Sequence, residues 1–268
     1  MTGMRLLAFC LMVSVLAVTP SAAAEPPALA RARTLYNAAD YDGAILAAAV
    51  AQRVPTATDA ATLVIARAHI ERYRRSADPT DLASARQALS SVRATVLTPR
   101  DQVDLLVGLG QSLFFSEIFG AAAELFDTAL GRADILPPRD QTLLLDWWAS
   151  ALDREAQSRQ VERRGPLFER IIARAETALR EDPGNPAANY WLVVAIRGAG
   201  DTDRAWEAAI AAWVRSMLSP ATAESLRTDL DRLMTQALIA EHARTRRDQP
   251  DAASALRAEW ELVKSQWR

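Results

Sequence analysis

From Glu25 onward, apolar residues recur at helical spacing through almost the whole chain, and clusters of Pro, Gly, Asp and Asn part the segments that carry them. The partings fall near Asp40-Tyr41-Asp42-Gly43, Val54-Pro55, Asp78-Pro79, Thr98-Pro99, Glu117 to Gly120 and Leu136-Pro137-Pro138. Further along come Gly165-Pro166, Asp182-Pro183-Gly184-Asn185-Pro186, Gly198 to Asp203, Ser219-Pro220 and Gln249-Pro250. They predict about a dozen helices, mostly of roughly 12 to 20 residues, the usual length in globular proteins. No alternating run of Val, Ile, Thr and Tyr is long enough to compete as a strand, so the expected class is all-α.

A repeated unit runs through these helices. In Leu106-x-x-Leu109-Gly110-x-x-Leu113 followed by Ala122-x-x-x-Phe126-x-x-Ala129, a helix with one small position precedes a helix carrying Ala, a large ring and Ala. This pattern resembles the tetratricopeptide repeat family, with Leu106 where that family usually has Trp. Ala32-x-x-Leu35 with Ala44, Ala48 and Ala51 fits the same template, as does Leu192-x-x-x-Ile196 with Ala205, Ala209 and Ala212. Asp182-Pro183-Gly184-Asn185-Pro186 resembles the family's link between repeats, and Gly198-Ala199-Gly200-Asp201 its turn within one. Two looser pairs lie between, over 58–94 and 139–180, the second interrupted by the charged stretch Arg159 to Arg164.

The resemblance implies about five helix pairs over 25–219, stacked into a right-handed superhelix with a concave and a convex side. One pair cannot bury its apolar face alone, and stacking buries it against the next. The family's concave-facing positions correspond to Tyr36 on the first pair and to Gln111, Phe114 and Phe115 on the third. On the fourth pair they correspond to Asp146, Ser150, Asp153 and Arg154, and on the fifth to Tyr190 and Arg197. Trp147 and Trp148 are adjacent and cannot face one way, so one is expected in the core and the other toward a groove or neighbouring helix.

Over 220–268 the pattern changes. Leu226, Leu230, Leu233, Met234, Ala237 and Leu238 form one apolar stripe, and Leu256, Trp260, Val263 and Trp267 another. A capping helix pair that seals the open end of the stack is the simpler expectation. The alternative is a docking element anchored by Trp260 and Trp267, which would make the chain a structural subunit of an envelope assembly.

Residues 1–24 read as a secretory signal: Arg5, an apolar run from Leu6 to Val18, then Pro20-Ser21-Ala22-Ala23-Ala24, with cleavage expected after Ala24. The run is shorter than the ~20 residues a spanning helix needs, and no later stretch qualifies, so no integral span and a periplasmic or secreted location are expected. The single cysteine, Cys10, sits inside that run, which leaves the remainder without a disulfide or thiolate zinc site. Half the residues are apolar, enough for a sizeable core, and a net charge of −2 supplies no excess of cations for nucleic acid.

The candidate chemistry is sparse. His69 and His242 are the two histidines, each alone on its helix and far from metal-ligand spacing; a helix-end residue such as His242 is expected to be solvated or bonded to a carbonyl. Gly108-Leu109-Gly110 lacks a third glycine and reads as close helix packing, and Lys264 has no glycine-rich loop near it. Asp146 and Asp153 share a helical face with packing residues, and Arg72, Arg74 and Arg75 complement a helix end. The expectation is therefore a non-catalytic protein without cofactor or metal, binding a peptide or protein along its concave side.

Overall fold

A computed structural model describes residues 25–246 and 250–267, so the expected signal at 1–24 lies outside the described residues. The described residues are all-helical, with no strand. Ten helices run in sequence: α1 (Pro27–Asn37), α2 (Tyr41–Ala51), α3 (Thr58–Ser76), α4 (Pro79–Ser91), α5 (Pro99–Phe114), α6 (Phe119–Leu130), α7 (Pro138–Ser158), α8 (Gly165–Glu181), α9 (Pro186–Gly198) and α10 (Thr202–Arg215). Then α11 (Pro220–Leu233) passes through a π turn (Met234–Leu238) directly into α12 (Ile239–Thr245), and α13 (Ala252–Gln266) follows.

The partings seen in sequence become helix starts for identifiable reasons. Pro27, Pro79, Pro99, Pro138, Pro186 and Pro220 each occupy the first helical position, where the missing N–H costs nothing and φ is already set. Side chains of Asp40, Asp78, Thr98, Asn185 and Asp201 accept hydrogen bonds from the free N–H groups of the first turn. The break expected at Gly165-Pro166 lies earlier, over 159–164, because a proline at the second helical position is equally tolerated and α8 starts at Gly165.

One turn occurs three times. Between α1 and α2, α5 and α6, and α9 and α10, the residue two before the second helix is left-handed: Ala39 at φ 60°, Glu117 at φ 60° and Gly200 at φ 93°. In each case the next N–H reaches back to a carbonyl five residues earlier, Asp40 to Leu35 (3.0 Å), Ile118 to Leu113 (3.0 Å) and Asp201 to Ile196 (3.2 Å). This closes the orphan carbonyls of the first helix and aims the second back along it. The pairs α3/α4 and α7/α8 depart from it: Ala77 is left-handed two residues before α4, but the next N–H, of Asp78, donates to the Ser76 hydroxyl at 3.2 Å instead of a carbonyl five residues back, and the 159–164 link carries a short 3-10 turn.

Helices pack with their chain neighbours, and the odd-numbered helices also touch one another in order: α1 with α3, α3 with α5, α5 with α7, α7 with α9, α9 with α11. They form a continuous row that the even-numbered helices flank. Close approach inside the stack depends on glycine at two places. A Cβ on Gly110 would lie 2.5 Å from the buried Phe126 ring of α6, and one on Gly198 would lie 2.5 Å from the Phe168 ring of α8. The far end of the row is covered by the C-terminal helices, where Leu230, Met234, Leu238, Leu256 and Trp260 are fully buried.

Candidate partner-binding groove

The inner row of helices lines an open groove in which two contiguous hollows, of about 400 and 740 Å³, share Tyr36, Arg67, Glu71, Arg74, Arg100 and Asp104. Tyr36 comes from α1, the Arg67-Glu71-Arg74 stripe from one face of α3, and Gln111 and Phe114 from α5. From α7, the residues Leu143, Asp146, Trp147 and Ser150 follow at one-turn spacing.

An aromatic strip runs along one wall. Phe114 meets Trp147 edge-on at 5.3 Å, Phe119 at 5.2 Å and Phe115 at 5.8 Å. Phe114 and Trp147 are only half-buried, and Leu143 beside them is 49% exposed. Phe115 instead caps α5 and packs against Tyr73 at 5.1 Å and Trp147 at 5.7 Å, away from the hollow. Trp148 is the core member of its pair, 2% exposed, and Trp147 is the groove member.

The same hollow also carries a network of paired charges, contributed by α3, by Arg100 and Asp104 of α5 and by Asp140 of α7. Arg67 reaches Asp104 at 2.8 Å and lies 4.7 Å over the Tyr36 ring; Arg100 bridges Asp104 at 3.4 Å and Asp140 at 2.7 Å. Arg74 joins Glu71 at 2.8 Å and stacks over Trp147 at 5.3 Å. Burial works against the Arg67 charge, yet Tyr36, Asp104, Asp140 and Glu71 around it raise its pKa overall. Burial also raises the Tyr36 phenol, which stays neutral over the physiological range. With its cations already matched, this network is a rigid polar surface rather than an open anion site.

Toward α9 the groove becomes acidic. Asp146 accepts the Trp191 indole N–H at 2.8 Å, and Asp153 lies two turns on along α7. Asp146 is exposed on the groove surface and Asp153 half-buried; the groove around them partly desolvates both carboxyls, which raises both pKa values above the ordinary carboxylate range. Neither has a cation within ion-pairing distance among the described residues. Tyr190 on α9 is half-buried against Trp191 at 5.4 Å, whereas Arg197 is held by Glu241 of α12 through two bonds of 2.6 and 2.7 Å. Arg154 is exposed. The structure thus brings Tyr36, Gln111, Phe114, Asp146 and Ser150 into one hollow, continues past it with Asp153 and Tyr190, and leaves Phe115, Arg154 and Arg197 in other roles.

The remaining candidates are structural ties. His69 Nδ1 lies 2.8 Å from Asp81, which also takes Arg72 at 3.2 Å, fastening α3 to α4. His242 is not solvated: it is 1% exposed, stacked on Trp206 at 5.6 Å, with Nδ1 3.2 Å from Asp203. Trp260 is fully buried, edge-on to Trp213 at 5.2 Å with its N–H on Asp231, and cannot anchor a partner, whereas Trp267 is 43% exposed. Among the described residues no three His, Cys, Asp or Glu side chains gather as metal ligands, and no helix is long and apolar enough to cross a membrane.

Sequence reasoning missed Arg67, Glu71, Arg74, Arg100, Asp104, Asp140 and Leu143 as groove residues. A signal was present on α3, where 67, 71 and 74 repeat at helical spacing along one face. The imperfect match of that pair to the repeat template hid it. No family model matches the chain, and no curated protein matches it.

Proposed function

We propose that the chain is an exported tetratricopeptide-like repeat protein whose helix pairs wind into a right-handed superhelix, and that its concave side holds an extended segment of a protein partner. The repeated left-handed turn in three pairs and the ordered row of odd-numbered helices support the repeat reading. The signal-like 1–24 segment supports export.

The observation that carries the binding role is the exposed Leu143 beside the half-buried Phe114 and Trp147, in a hollow whose cations are already paired. An apolar side chain of the partner fills the strip between Phe114 and Leu143, while Gln111 and Ser150 offer hydrogen bonds to its backbone. A basic side chain further along meets Asp146 and Asp153. No nucleophile and base stand together here, so the groove recognises rather than transforms its occupant.

The test is quantitative capture of cross-linked partners from native cell envelope. Leu143→Asp and Asp146→Asn change exposed groove positions and should each weaken capture roughly tenfold, the scale of a substantial interface contact. Val161→Asp, on the exposed 159–164 link, should leave it unchanged. Capture that survives Leu143→Asp would remove the groove from the account and return attention to the exposed Trp267 and Leu262 of the C-terminal helix.

A further inference from the structure

The end of the stack opposite α13 has an unusual helix. α2 (YDGAILAAAVA) carries one charged residue, Asp42, and its apolar positions otherwise continue round to the outer side of the helix. Ala44, Ala48 and Ala51 are buried against α1 and α3. On the other side Leu46 is 71% exposed, Val50 54% and Val54 37%, and no described residue covers them. An outward groove of about 480 Å³ lies beside them, between α1 and α2, lined by Leu35, Leu46, Ala47 and Val50 with Arg31 and Asp40 at its edge. A terminal repeat that faces water needs a polar outer surface, and here an apolar stripe runs through it.

We infer that this face joins a second copy of the chain, with the two α2 helices antiparallel about a two-fold axis. At 100° per residue, Asp42, Leu46, Ala49 and Val50 fall within about one third of the helix circumference, and Arg53 follows in the turn just past Ala51. The order along that stripe and into the turn is acidic, apolar, small, apolar, basic. A two-fold axis near Ala48 sets Leu46 of one copy against Val50 of the other, and Arg53 against Asp42. Arg53 makes no ion pair among the described residues, and Asp42 is 80% exposed with only the half-open Arg72 at 2.9 Å. Ala49 carries little bulk near the crossing, so the backbones can approach closely while each Leu46 enters the α1/α2 groove of its mate. An anionic lipid surface fits less well, because Asp40 and Asp42 border the same apolar stripe.

Sedimentation of the protein expressed from the full sequence, over about 1 to 100 µM, tests this. Twice the chain mass is expected, with Leu46→Asp weakening association at least roughly tenfold and leaving the far-UV circular dichroism unchanged. Arg53→Asp should weaken it as well, and adding Asp42→Arg to that variant should restore it, since the swap re-forms the pair only across the two-fold. A monomer throughout the range overturns the inference, as does a dimer indifferent to Leu46→Asp or a charge swap that fails to restore it. A monomer whose α2 amides lose exchange protection when residues 1–24 are removed would instead assign the face to the chain's own leading segment. A monomer that sediments with anionic vesicles until Leu46 is changed would assign it to lipid.

Discussion

A Cβ placed on Gly110 would sit 2.5 Å from Cε1 of Phe126, so the α5 backbone lies directly under the α6 ring. Phe126 is fully buried and has no free space to turn into. The small position of one helix and the large ring of the next are therefore one packing unit, with sequence, local structure and core linked through a single contact.

Gly110→Ala should accordingly destabilise the protein by about 1 to 3 kcal/mol, although the same change in an exposed helix would add about 1 kcal/mol. Urea unfolding measures it. Phe126→Leu combined with Gly110→Ala should recover part of the loss, and simple additivity of the two changes would contradict the unit.

The shared turn gives a second expectation. Ala39 and Glu117 hold left-handed backbone that costs a side-chain-bearing residue about 1 kcal/mol or more, and Gly200 holds it without that cost. Ala39→Gly and Glu117→Gly should each stabilise by roughly 0.5 to 1 kcal/mol, and Gly200→Ala should destabilise by about the same. Thermal unfolding of the three variants checks the signs, and a loss of stability in Ala39→Gly or Glu117→Gly, or a gain in Gly200→Ala, would show that the three turns are not equivalent.

Much of this architecture was legible in the sequence, because proline at helix starts and Asp, Asn or Thr caps act locally. The break at Glu117 to Gly120 was legible too, but its left-handed backbone was not, since glutamate advertises none; the tertiary fold imposes it. The burial of His242 was hidden for a different reason. Leu226, Leu230, Met234, Leu238 and His242 recur every four residues and are all buried, a spacing that drifts about 40° per step around an α-helix. The π turn over Met234–Leu238 takes up that drift and carries the stripe on to His242. In the groove, Phe114 and Gln111 followed the template, but the charged network joins Arg67, Glu71 and Arg74 of α3, from the pair that fits the template poorly, to the N-terminal turns of α5 and α7.

His242 should make the C-terminal helices sensitive to acid. Burial holds its folded pKa below 6.5, and Arg246 adds to this, while Asp203 and Glu259 oppose it. Above pH 6.5 the ring is neutral whether folded or unfolded, so it adds no pH dependence. As pH falls through 6.5 the unfolded chain takes up the proton first, and stability drops until the lower folded pKa is passed. His242→Gln should flatten the melting temperature between pH 7 and about pH 5 relative to the native chain. An equal slope in both would assign the acid response elsewhere.

Partner binding should weaken at low pH for a separate reason. Asp146 and Asp153 must be ionised to receive a cationic side chain, and their raised pKa values bring their neutralisation nearer to physiological pH. Affinity should therefore be full above those raised pKa values and fall as pH drops through them. The double variant Asp146→Asn with Asp153→Asn should bind more weakly and lose this dependence, measured by titration with the captured partner; a double variant with an unchanged pH profile would place the cationic contact elsewhere.

The most direct measurement of the groove's role is site-specific photo-crosslinking in the cell envelope. A photoreactive phenylalanine analogue replaces Leu143, which is 49% exposed within the groove, or Val161, which is 69% exposed on the 159–164 link. The account predicts a discrete adduct from position 143 that disappears when Asp146→Asn is added, and none from position 161. Equal adducts from both positions, or an adduct from 161 alone, would contradict a partner seated in the groove.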